Sequence, residues 1–291
     1  MSFAKRQINL IFSVNGKEIY LQGLRSQAII SNPGGNNAVA LLQLRVYGMT
    51  LEQMNSLSST GASTNAGALG IGNVSVTVLA GDEGQTVGQI FKGGVLKSYI
   101  DFSAVPEVSF IVSAQAALFE KASPVKANSW KGVQNAEDLI KSLVGQLGSE
   151  WSFWNNPKNP AHAIIQNQNV YGSIISQIQK IAKYSCFPLS IENNTVSIWA
   201  NDGTRDDMVI DVSAKNGLVG YPSFNDVGFS IKTEFNPDMI NGRTVNLTTV
   251  IPKANGKAPI HDSTHEISTL TPDGAWFTTV VLSPSAYVPV N

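Results

Sequence analysis

Apolar residues recur at every second position in several short segments of the first 115 residues. The clearest segments contain Ile8, Leu10 and Phe12, then Leu42, Leu44 and Val46, and later Val74, Val76 and Val78. Side chains at spacing two lie on one face of a strand, so each segment predicts a strand with one apolar face. Asn15-Gly16 follows the first segment and is typical of a two-residue hairpin, because both residues tolerate a positive φ. The pattern predicts β structure over residues 3–115.

The segment Val39–Ser58 predicts a strand that is followed directly by a short helix. Gly48 ends the strand, Thr50 is a suitable helix cap, and Glu52 lies in the first helical turn, where the helix dipole favours an acid. The apolar stripe of this helix consists of Leu51, Met54 and Leu57. Residues 58–73, which are small, polar and glycine-rich, predict a long loop.

The pattern changes to a helical period between residues 120 and 200. One predicted helix starts at Asn135, has Asp138 in its first turn and ends at Gly148. Its stripe at helical spacing consists of Ala136, Leu139, Ile140, Leu143, Val144 and Leu147. A second helix is predicted over Tyr171–Ser185, with Ile174, Ile175, Ile178, Ile181 and Ala182 as its apolar face. Alternation on both sides of Asn193-Asn194 then predicts a β-hairpin, which completes a small α/β module.

Strand patterns return after residue 203, with glycine or proline about every ten residues. The predicted strands are Met208–Val212, Gly228–Phe235, Thr244–Ile251, His261–Leu270 and Trp276–Leu282. Such spacing is typical of a barrel or a sandwich. The sequence therefore predicts a β-rich α+β fold. Its three predicted domains are a first β domain at 1–118, a small α/β module of two helices plus a hairpin at 119–202, and a second β domain at 203–291.

Charge is scarce in this chain of 291 residues, since only 14% of them are Asp, Glu, Lys or Arg. Two readings stay open: a subunit whose surfaces become interfaces, where charge is depleted, or a β-rich protein whose turns need Gly and Asn. The net charge of −1 excludes the broad basic surface of a nucleic-acid binder. No sequence-specific nucleic-acid contact is therefore expected, and the absence of a long apolar run predicts no membrane span.

The first residues and the cysteine count indicate the cellular compartment in which the protein folds. The apolar run after Lys5 and Arg6 is interrupted by Asn9 and Ser13, which favours a first strand over a signal peptide. The single cysteine, Cys186, rules out an internal disulfide and fits a protein folded in a reducing cytosol.

His261, His265 and Glu266 are the residues whose spacing most resembles a metal site. On a helix the two histidines would share a face and could bind zinc. However, Pro259 and the β-forming residues that follow predict a strand, in which two same-face residues four apart are about 13 Å from each other. Asp262, not Glu, follows the first histidine, so the zinc-protease order is also absent. We therefore predict no metal site.

Other candidate residues favour structural readings. We expect His162 to lie on the surface, Cys186 to be a buried and inert thiol, and Gly70 and Gly72 not to form a dinucleotide loop because a third glycine is missing. Gly81–Gly84 predicts a turn, and the charged run of Asp202, Arg205, Asp206 and Asp207 predicts a solvated loop. The aromatic group of Trp151, Phe153 and Trp154 is either a stacking surface for a sugar or partner, or packing beneath a loop. No catalytic, cofactor-binding or metal-ligating residue is predicted.

Several phrases, in this order along the chain, resemble the baseplate hub proteins of contractile-tailed bacteriophages. The first domain contains LRVYGMTLEQMNSLS, VTVLAGDEG and GQIFKGGVLKSYIDFSAVPEVSFIVSAQA. The module contains YGSIISQIQKIAKYSCFPLSIENNTVSIWA, and the last domain contains GLVGYPSFNDVGFSIKTEFNP and HEISTLTPDGAWFTTVVL. The resemblance covers most of residues 5–283, and it identifies no catalytic residue. The loop at 58–73 has no counterpart in it.

The resemblance implies two β-barrels of the tail-tube type, joined by the small α/β module. It implies a homotrimer whose six barrels form a pseudo-six-fold ring around a channel, a symmetry adapter between the six-fold tail tube and the three-fold central spike. Implied partners are the spike protein, the tail tube or its distal initiator protein, the tape-measure protein and the wedge proteins of the baseplate. Such a protein is not an enzyme, needs no cofactor, assembles in the bacterial cytoplasm and resides in the virion tail.

Two other functions remain possible on the residues alone. Trp151 and Trp154 allow a β-rich module that binds carbohydrate or a cell surface without catalysis. A tail-associated hydrolase is the third possibility, although the residues provide no convincing acid, base or nucleophile.

Overall fold

A computed structural model describes residues 5–14, 16–35, 39–58, 74–84, 87–225, 228–283 and 288–289. The predicted loop at 58–73 therefore lies, beyond Ser58, outside the described residues, as do Gly70 and Gly72. The chain divides into two compact units, each described by itself. Unit 1 contains residues 1–31, 40–118 and 265–276, and unit 2 contains 32–39, 119–264 and 277–291. The division into three domains at 118 and 202 stays a prediction.

Unit 1 is a sheet of antiparallel strands with one helix. Its elements are β1 (Arg6–Val14), β2 (Lys17–Leu21), β3 (Ser26–Asn32), β4 (Leu41–Tyr47), α1 (Leu51–Leu57), β5 (Val74–Asp82), β6 (Gly88–Asp101) and β7 (Ser109–Gln115). The strand order is β2-β1-β5-β6-β7-β4-β3. The predicted inward residues are buried except Val74, which is partly exposed at the start of β5. Phe12 meets Phe110 edge to face with ring centroids 6.5 Å apart. Apolar alternation along β1, β4, β5 and β7 thus supplies the core.

Helix α1 begins where the sequence predicts. Thr50 Oγ1 accepts a hydrogen bond from Gln53 N at 3.2 Å, while Gln53 Oε1 accepts one from Thr50 N at 3.1 Å. This reciprocal pair is a capping box, which satisfies two of the free N–H groups at the helix start. Met54 and Leu57 are buried, whereas Leu51 is exposed, so the prediction of an apolar stripe is wrong at Leu51. Positions three apart are offset by about 60° around a helix, so Leu51 and Leu57 lie about 120° apart and do not both face the core.

Three strand bounds in unit 1 differ from the sequence-based prediction. Strand β3 was not predicted, although Ala28 and Ile30 are its buried positions. Strand β5 continues through Gly81 and Asp82, so the predicted turn shortens to Glu83-Gly84. The sequence predicts a strand over Gln89–Lys97 and a connection over Tyr99–Pro106. Strand β6 instead continues to Asp101, because residues 97–101 pair with β7, so the connection is shorter.

Unit 2 contains the α/β elements. They are α2 (Leu118–Ala122), β8 (Pro124–Ser129), β9 (Val133–Asn135), α3 (Ala136–Gly145), β10 (Ser152–Asn155), β11 (Ile164–Gln166), β12 (Asn169–Ser173), α4 (Ile174–Tyr184), β13 (Leu189–Glu192) and β14 (Thr195–Ile198). Strand β12 pairs with β8, β11 pairs with β9, and β14 lies between β10 and β13. The hairpin at Asn193-Asn194 is confirmed, with φ of 49° and 57° at its two turn residues.

The apolar faces predicted for α3 and α4 are buried, except that Leu147 lies beyond the end of α3 and is only partly buried. The ends of both helices also differ from the prediction. The side chain of Asn135 donates to Asp138 at 3.1 Å instead of capping a backbone N–H. Helix α3 ends at Gly145, before Gly148. Helix α4 begins at Ile174, later than predicted, because the preceding residues form strand β12 and Ser173 Oγ accepts the N–H of Ser176.

The rest of unit 2 is β structure. Its elements are β15 (Val209–Ser213), β16 (Leu218–Phe224), β17 (Phe229–Glu234), β18 (Thr244–Thr248), a 3₁₀ turn (Pro252–Ala254), β19 (Gly256–Thr269), β20 (Trp276–Leu282) and β21 (Val288–Pro289). Strand β17 pairs with β16 and β20, and β18 pairs with β15 and β19. A core of Val212, Phe229, Ile231, Val245, Leu247, Ile260, Val280 and Leu282 packs among them. Residues 265–269 of β19 belong to unit 1.

The β-rich α+β fold class predicted from the sequence is confirmed. In the described part of the chain, none of the helices is both long enough and apolar enough to cross a membrane.

Candidate assembly surfaces

Strand β2 forms an open edge of unit 1. Among the described strands it pairs only with β1, in the register Leu10↔Leu21 to Val14↔Lys17. Lys17, Glu18 and Tyr20 are exposed on it. The hydroxyl of Tyr20 contacts the Glu18 carboxylate, and this hydrogen bond raises the pKa of Tyr20. An unpaired strand edge offers backbone N–H and C=O groups to another chain, although charges such as these limit indiscriminate pairing.

Strand β16 forms an open edge of unit 2. Among the described strands it pairs only with β17, at Leu218–Val219 and Ser223–Phe224, with an irregular stretch between these pairs. Gly220, at φ 75°, and Pro222 lie in that stretch. Tyr221 and Phe224 are exposed, and the ring of Phe224 lies 5.9 Å from that of Phe229. This edge therefore combines unpaired backbone with two exposed aromatic side chains.

The connection between β6 and β7, residues 102–107, forms a third surface, which we call the apolar loop. All six residues are exposed, and four of them are apolar, with Phe102 at 54% and Val105 at 69% exposure. Such connections are usually built from polar and glycine residues. The sequence pattern predicts only a connection between strands here, although the apolar composition of residues 102–107 is the signal that identifies this surface.

Charged residues hold both ends of the apolar loop. Arg25 donates two hydrogen bonds to Glu107, at 2.9 and 3.2 Å, and its guanidinium lies 3.8 Å from the centre of the Tyr47 ring. At the other end Asp101 Oδ1 accepts the N–H of Ser103 at 2.9 Å. The Arg25 hydrogen bonds lower the pKa of Glu107, and the bonds from Ser103 lower that of Asp101. Hydrogen bonds thus hold both ends of the loop while its apolar side chains face solvent.

Unit 2 contains a cavity of about 550 Å³, which we call the glycine-lined cavity. Four glycines contribute to its wall: Gly34, Gly35, Gly203 and Gly242. Its apolar floor consists of Phe187, Leu189, Trp199 and Ile260, each at most 7% exposed. Lys183, Cys186 and His261 add polar groups to the lining. A Cβ on Gly34 would lie 2.6 Å from the carbonyl oxygen of His261, so no larger residue fits there without movement.

A second cavity, of about 450 Å³, lies on unit 1. Gln27, Gln43, Arg45, Ser113 and Glu266 contribute most of its polar lining. Its lining therefore combines neutral amides and hydroxyls with one arginine and one glutamate.

The two histidines of the metal-like spacing lie in strand β19, as predicted. The alternation of buried and exposed residues changes phase between Ile260 and Ser263. As a result His265 is buried whereas His261 is partly exposed, so the two do not share a face as the sequence analysis assumed. His261 Nδ1 lies 3.0 Å from Asp262 Oδ2. Within the described ranges, no three His, Cys, Asp or Glu residues are grouped as metal ligands.

The prediction of a buried Cys186 is wrong, because its thiol is exposed. Cys186 follows α4 with φ of 56°, its N–H donates to Lys183 O at 3.2 Å, and Phe187 N donates to Ala182 O at 2.9 Å. These two bonds form a Schellman motif, in which the left-handed position is usually glycine. That conformation turns Phe187 inward and Cys186 outward. His162, in contrast, lies on the surface as predicted, where it contacts Glu137.

The prediction of a solvated loop at 202–207 is wrong for Arg205. Its side chain is 9% exposed and forms an ion pair with Glu192, itself 7% exposed. Its N–H donates to Gly242 O at 2.8 Å, and its carbonyl accepts Trp154 Nε1 at 2.9 Å. A charge run in sequence does not show which of its members has a buried partner elsewhere. Arg205 therefore connects three segments of unit 2 through its contacts with Glu192, Gly242 and Trp154.

Two neighbours of Arg205 are also paired. Asp206 accepts Arg243 Nε at 2.8 Å. Asp207 pairs with Lys158 at 2.5 Å, a contact that lowers the pKa of Asp207.

The aromatic group at 151–154 does not form one surface. Phe153 and Trp154 are consecutive residues of β10, so their side chains point to opposite faces. Trp151 Nε1 donates a hydrogen bond to the Glu120 carboxylate at 3.2 Å, and Trp154 Nε1 donates one to the carbonyl oxygen of Arg205. The arrangement gives the carbohydrate-binding alternative no shared stacking platform.

Comparison with known proteins gives one family and several similar structures. A family model described as baseplate hub gp41 matches residues 8–270. No curated protein sequence matches the chain. The structure is similar to a tail protein from Neisseria meningitidis MC58, with a TM-score of 0.63 and 11% identity over 97% of this chain and 98% of that one.

Two further solved structures are similar. One is the E. coli c3393 protein, a component of the type VI secretion system, with a TM-score of 0.60 and 7% identity over 96% of this chain and 79% of that one. The other is the 43 kDa tail protein of prophage MuSo2 from Shewanella oneidensis, with a TM-score of 0.59 and 9% identity over 97% of this chain and 100% of that one. At these identities the likeness shows the fold alone.

Proposed function

Because the chain belongs to the baseplate hub gp41 family, we propose that its structural role in the phage tail is to form a homotrimeric ring in the baseplate of a contractile tail. Each subunit contributes two β units to a pseudo-six-fold ring around a channel. The ring joins the six-fold tail tube to the three-fold central spike. Its function is carried by shape and contacts, and we propose no catalysis, metal or cofactor.

The two open strand edges carry this proposal. Strand β2 provides one edge from unit 1, and β16 provides another from unit 2. Two different patches that pair head to tail generate a ring when the rotation closes, and closure also covers edges that would otherwise promote aggregation. Tyr221 and Phe224 supply the exposed aromatic side chains that are enriched in interfaces.

The low charge of the chain fits the same role. With 14% charged residues, the protein is suited to surfaces that other subunits cover. We propose the spike protein, the tail tube or its distal initiator, the tape-measure protein and wedge proteins as partners. Among the similar structures is a Francisella PdpA–VgrG complex, with a TM-score of 0.52 and 7% identity over 99% of this chain and 59% of that one. We further propose that assembly takes place in the bacterial cytoplasm and that the protein resides in the virion tail.

Light scattering at several protein concentrations tests the homotrimer. We expect a mass of three times 31.1 kDa. Tyr221→Lys places a charge on the open edge of β16 and should shift the mass toward the monomer. Val250→Lys, at an exposed position outside strands β2 and β16, is the control and should not. A strictly monomeric protein, alone and with its spike, would refute the proposed ring.

A further inference from the structure

We propose that a basic surface of unit 2 docks an acidic segment of a partner protein. This surface, which we call the basic patch, consists of Lys126, Tyr171, Lys180, Lys183 and Tyr184. Strands β8 and β12 and helix α4 supply its residues. The inference goes beyond the proposed ring and does not depend on it.

Lys180 occupies a fixed position in the basic patch. Its Nζ donates a hydrogen bond to Tyr171 O at 2.9 Å and lies 3.5 Å from the centre of the Tyr171 ring. Tyr184 follows one helical turn later, and residues four apart share a face of a helix. Lys126 lies in the register shift of β8 that is opposite Tyr171. Strand pairing and helical spacing therefore place these residues side by side.

The positive charge of the basic patch is not neutralised within the protein. Elements β8, β12 and α4 contain three lysines and no aspartate or glutamate. Within the described ranges, none of these lysines forms an ion pair with a carboxylate. Two acids of the same part of unit 2 have partners elsewhere, since Glu137 contacts His162 and Glu192 contacts Arg205. The patch therefore fits a partner that brings its own carboxylates.

The two tyrosines give the basic patch the composition of an interface. Tyr171 is 67% exposed and Tyr184 is 65% exposed, and tyrosine is enriched where proteins bind one another. Lys180 has three N–H donors and uses one of them on Tyr171 O, so it can still donate to a carboxylate of the partner. Because that bond already positions the lysine, docking costs less side-chain entropy.

The same contacts favour a protein segment over other anionic partners. Single-stranded nucleic acid stacks its bases on aromatic faces, but the Lys180 ammonium already covers one face of Tyr171. Surfaces that bind membranes insert Trp, Phe or Leu side chains, and the basic patch contains none of these. Carboxylates that alternate with apolar side chains match lysines that lie beside tyrosine rings.

Fluorescence anisotropy with a labelled peptide of alternating glutamate and leucine tests the docking on the full chain. We expect this peptide to bind about tenfold more tightly than a peptide in which glutamine replaces glutamate, because the lysines recognise the negative charge. Added salt should weaken the binding, since the patch lies at the surface and its charge is screened.

Charge reversal locates the binding on the protein. Lys180→Glu should weaken binding of the glutamate peptide about tenfold, because it places a like charge in the patch. Lys141→Glu makes the same change at an exposed position of helix α3, outside the patch, and is the matched control. It should weaken the binding by less than about twofold.

A second variant tests the aromatic part of the basic patch. Tyr184→Ala should lower the affinity for the glutamate peptide about tenfold, as the loss of an interface tyrosine does. Tyr184 is exposed, so thermal unfolding of this variant should match that of the unchanged protein.

Three results would overturn the inference. One is equal affinity for the glutamate and glutamine peptides, and another is an equal loss of affinity in Lys180→Glu and Lys141→Glu. The third is tighter binding of an oligothymidylate strand, or of vesicles of phosphatidylserine and phosphatidylcholine, which would assign the patch to a nucleic acid or a membrane. Light scattering of the unliganded protein decides the ring separately, so failure of the docking leaves the proposed ring standing.

Discussion

Arg25 donates a hydrogen bond to each carboxylate oxygen of Glu107, at 3.2 Å to Oε1 and 2.9 Å to Oε2. The two residues are 82 positions apart in the sequence, yet together they fix the end of the apolar loop. A two-pronged arginine–carboxylate pair defines geometry as well as contributing energy. The order of the loop should therefore depend on this pair.

Replacing Glu107 by Gln should loosen the apolar loop without unfolding unit 1. Gln keeps the size of the side chain but removes its charge and one of its two acceptor oxygens. We expect faster amide hydrogen exchange across residues 102–108, with unchanged exchange in strands β4 and β7. Glu83→Gln, which alters another exposed ion pair of unit 1, is the matched control. Equal exchange in the two variants would show that the Arg25–Glu107 pair does not order the loop.

The same pair predicts a pH dependence. Hydrogen bonding to Arg25 lowers the pKa of Glu107 below its ordinary value of 4.5. The unfolded chain therefore binds this proton at a higher pH than the folded chain, and folding is favoured when the group is ionised. The contribution should be complete above pH 4.5 and be lost as the pH falls through the lower pKa of the folded state. Urea unfolding of the unchanged protein and of Glu107→Gln should differ at neutral pH and converge in acid.

Removing the cap of helix α1 should destabilise unit 1. Thr50→Ala deletes the acceptor for Gln53 N and should cost about 1 kcal/mol of the free energy of unfolding. The helix buries Met54 and Leu57, so its loss is felt in the core. Ser56→Ala, on the exposed side of the same helix, is the control and should change stability by less than about 0.5 kcal/mol. Equal unfolding midpoints in urea for the two variants would contradict the role of the cap.

Replacing Cys186 by Gly should stabilise unit 2. Cys186 has the left-handed conformation that follows helix α4. This conformation costs a residue with a Cβ roughly 1 kcal/mol of conformational free energy, whereas glycine adopts it without that cost. We expect a higher unfolding midpoint by calorimetry. Cys186→Ala removes the thiol but keeps the Cβ, so it separates the backbone effect from the loss of sulfur. A stabilisation by Ala as large as that by Gly would show that the backbone is not the cause.

Breaking the buried ion pair of unit 2 should be costly. Glu192→Gln leaves the charge of Arg205 uncompensated in a site where both side chains are below 10% exposed. Such a change costs about 3–5 kcal/mol in the free energy of unfolding. The double variant Glu192→Leu, Arg205→Met removes both charges and should recover much of that loss. Lys158→Ala, which breaks the exposed pair with Asp207, should cost under about 1 kcal/mol.

The sequence predicts the local features of this fold well. The stripes of α3 and α4, the cap at Thr50 and the hairpin at Asn193-Asn194 depend on residues within a few positions of each other. Strands β8 and β16 were missed because most of their residues are exposed, so they show no apolar alternation. Pairing, and not composition, makes them strands: β8 pairs with the distant β12, and β16 pairs with the adjacent β17.

The candidate surfaces depend even more on distant contacts. Arg205 looks like a solvated charge in sequence, and its burial follows from Glu192 and the carbonyl of Gly242. Cys186 looks like a core thiol, and its exposure follows from the end of α4. The apolar loop, in contrast, is visible in the letters FSAVPE, because apolar residues at a strand connection are unusual.

Segments of the two units alternate along the sequence, and this order constrains when each unit can complete its folding during translation. Unit 1 begins near the start of the chain but is completed by residues 265–276. Its first 118 residues leave the ribosome long before that final segment, so unit 1 cannot finish folding as an early, independent product of synthesis. Both units reach their final contacts only after residues 265–291 have emerged. A nascent chain stalled before residue 265 would therefore contain neither unit in complete form.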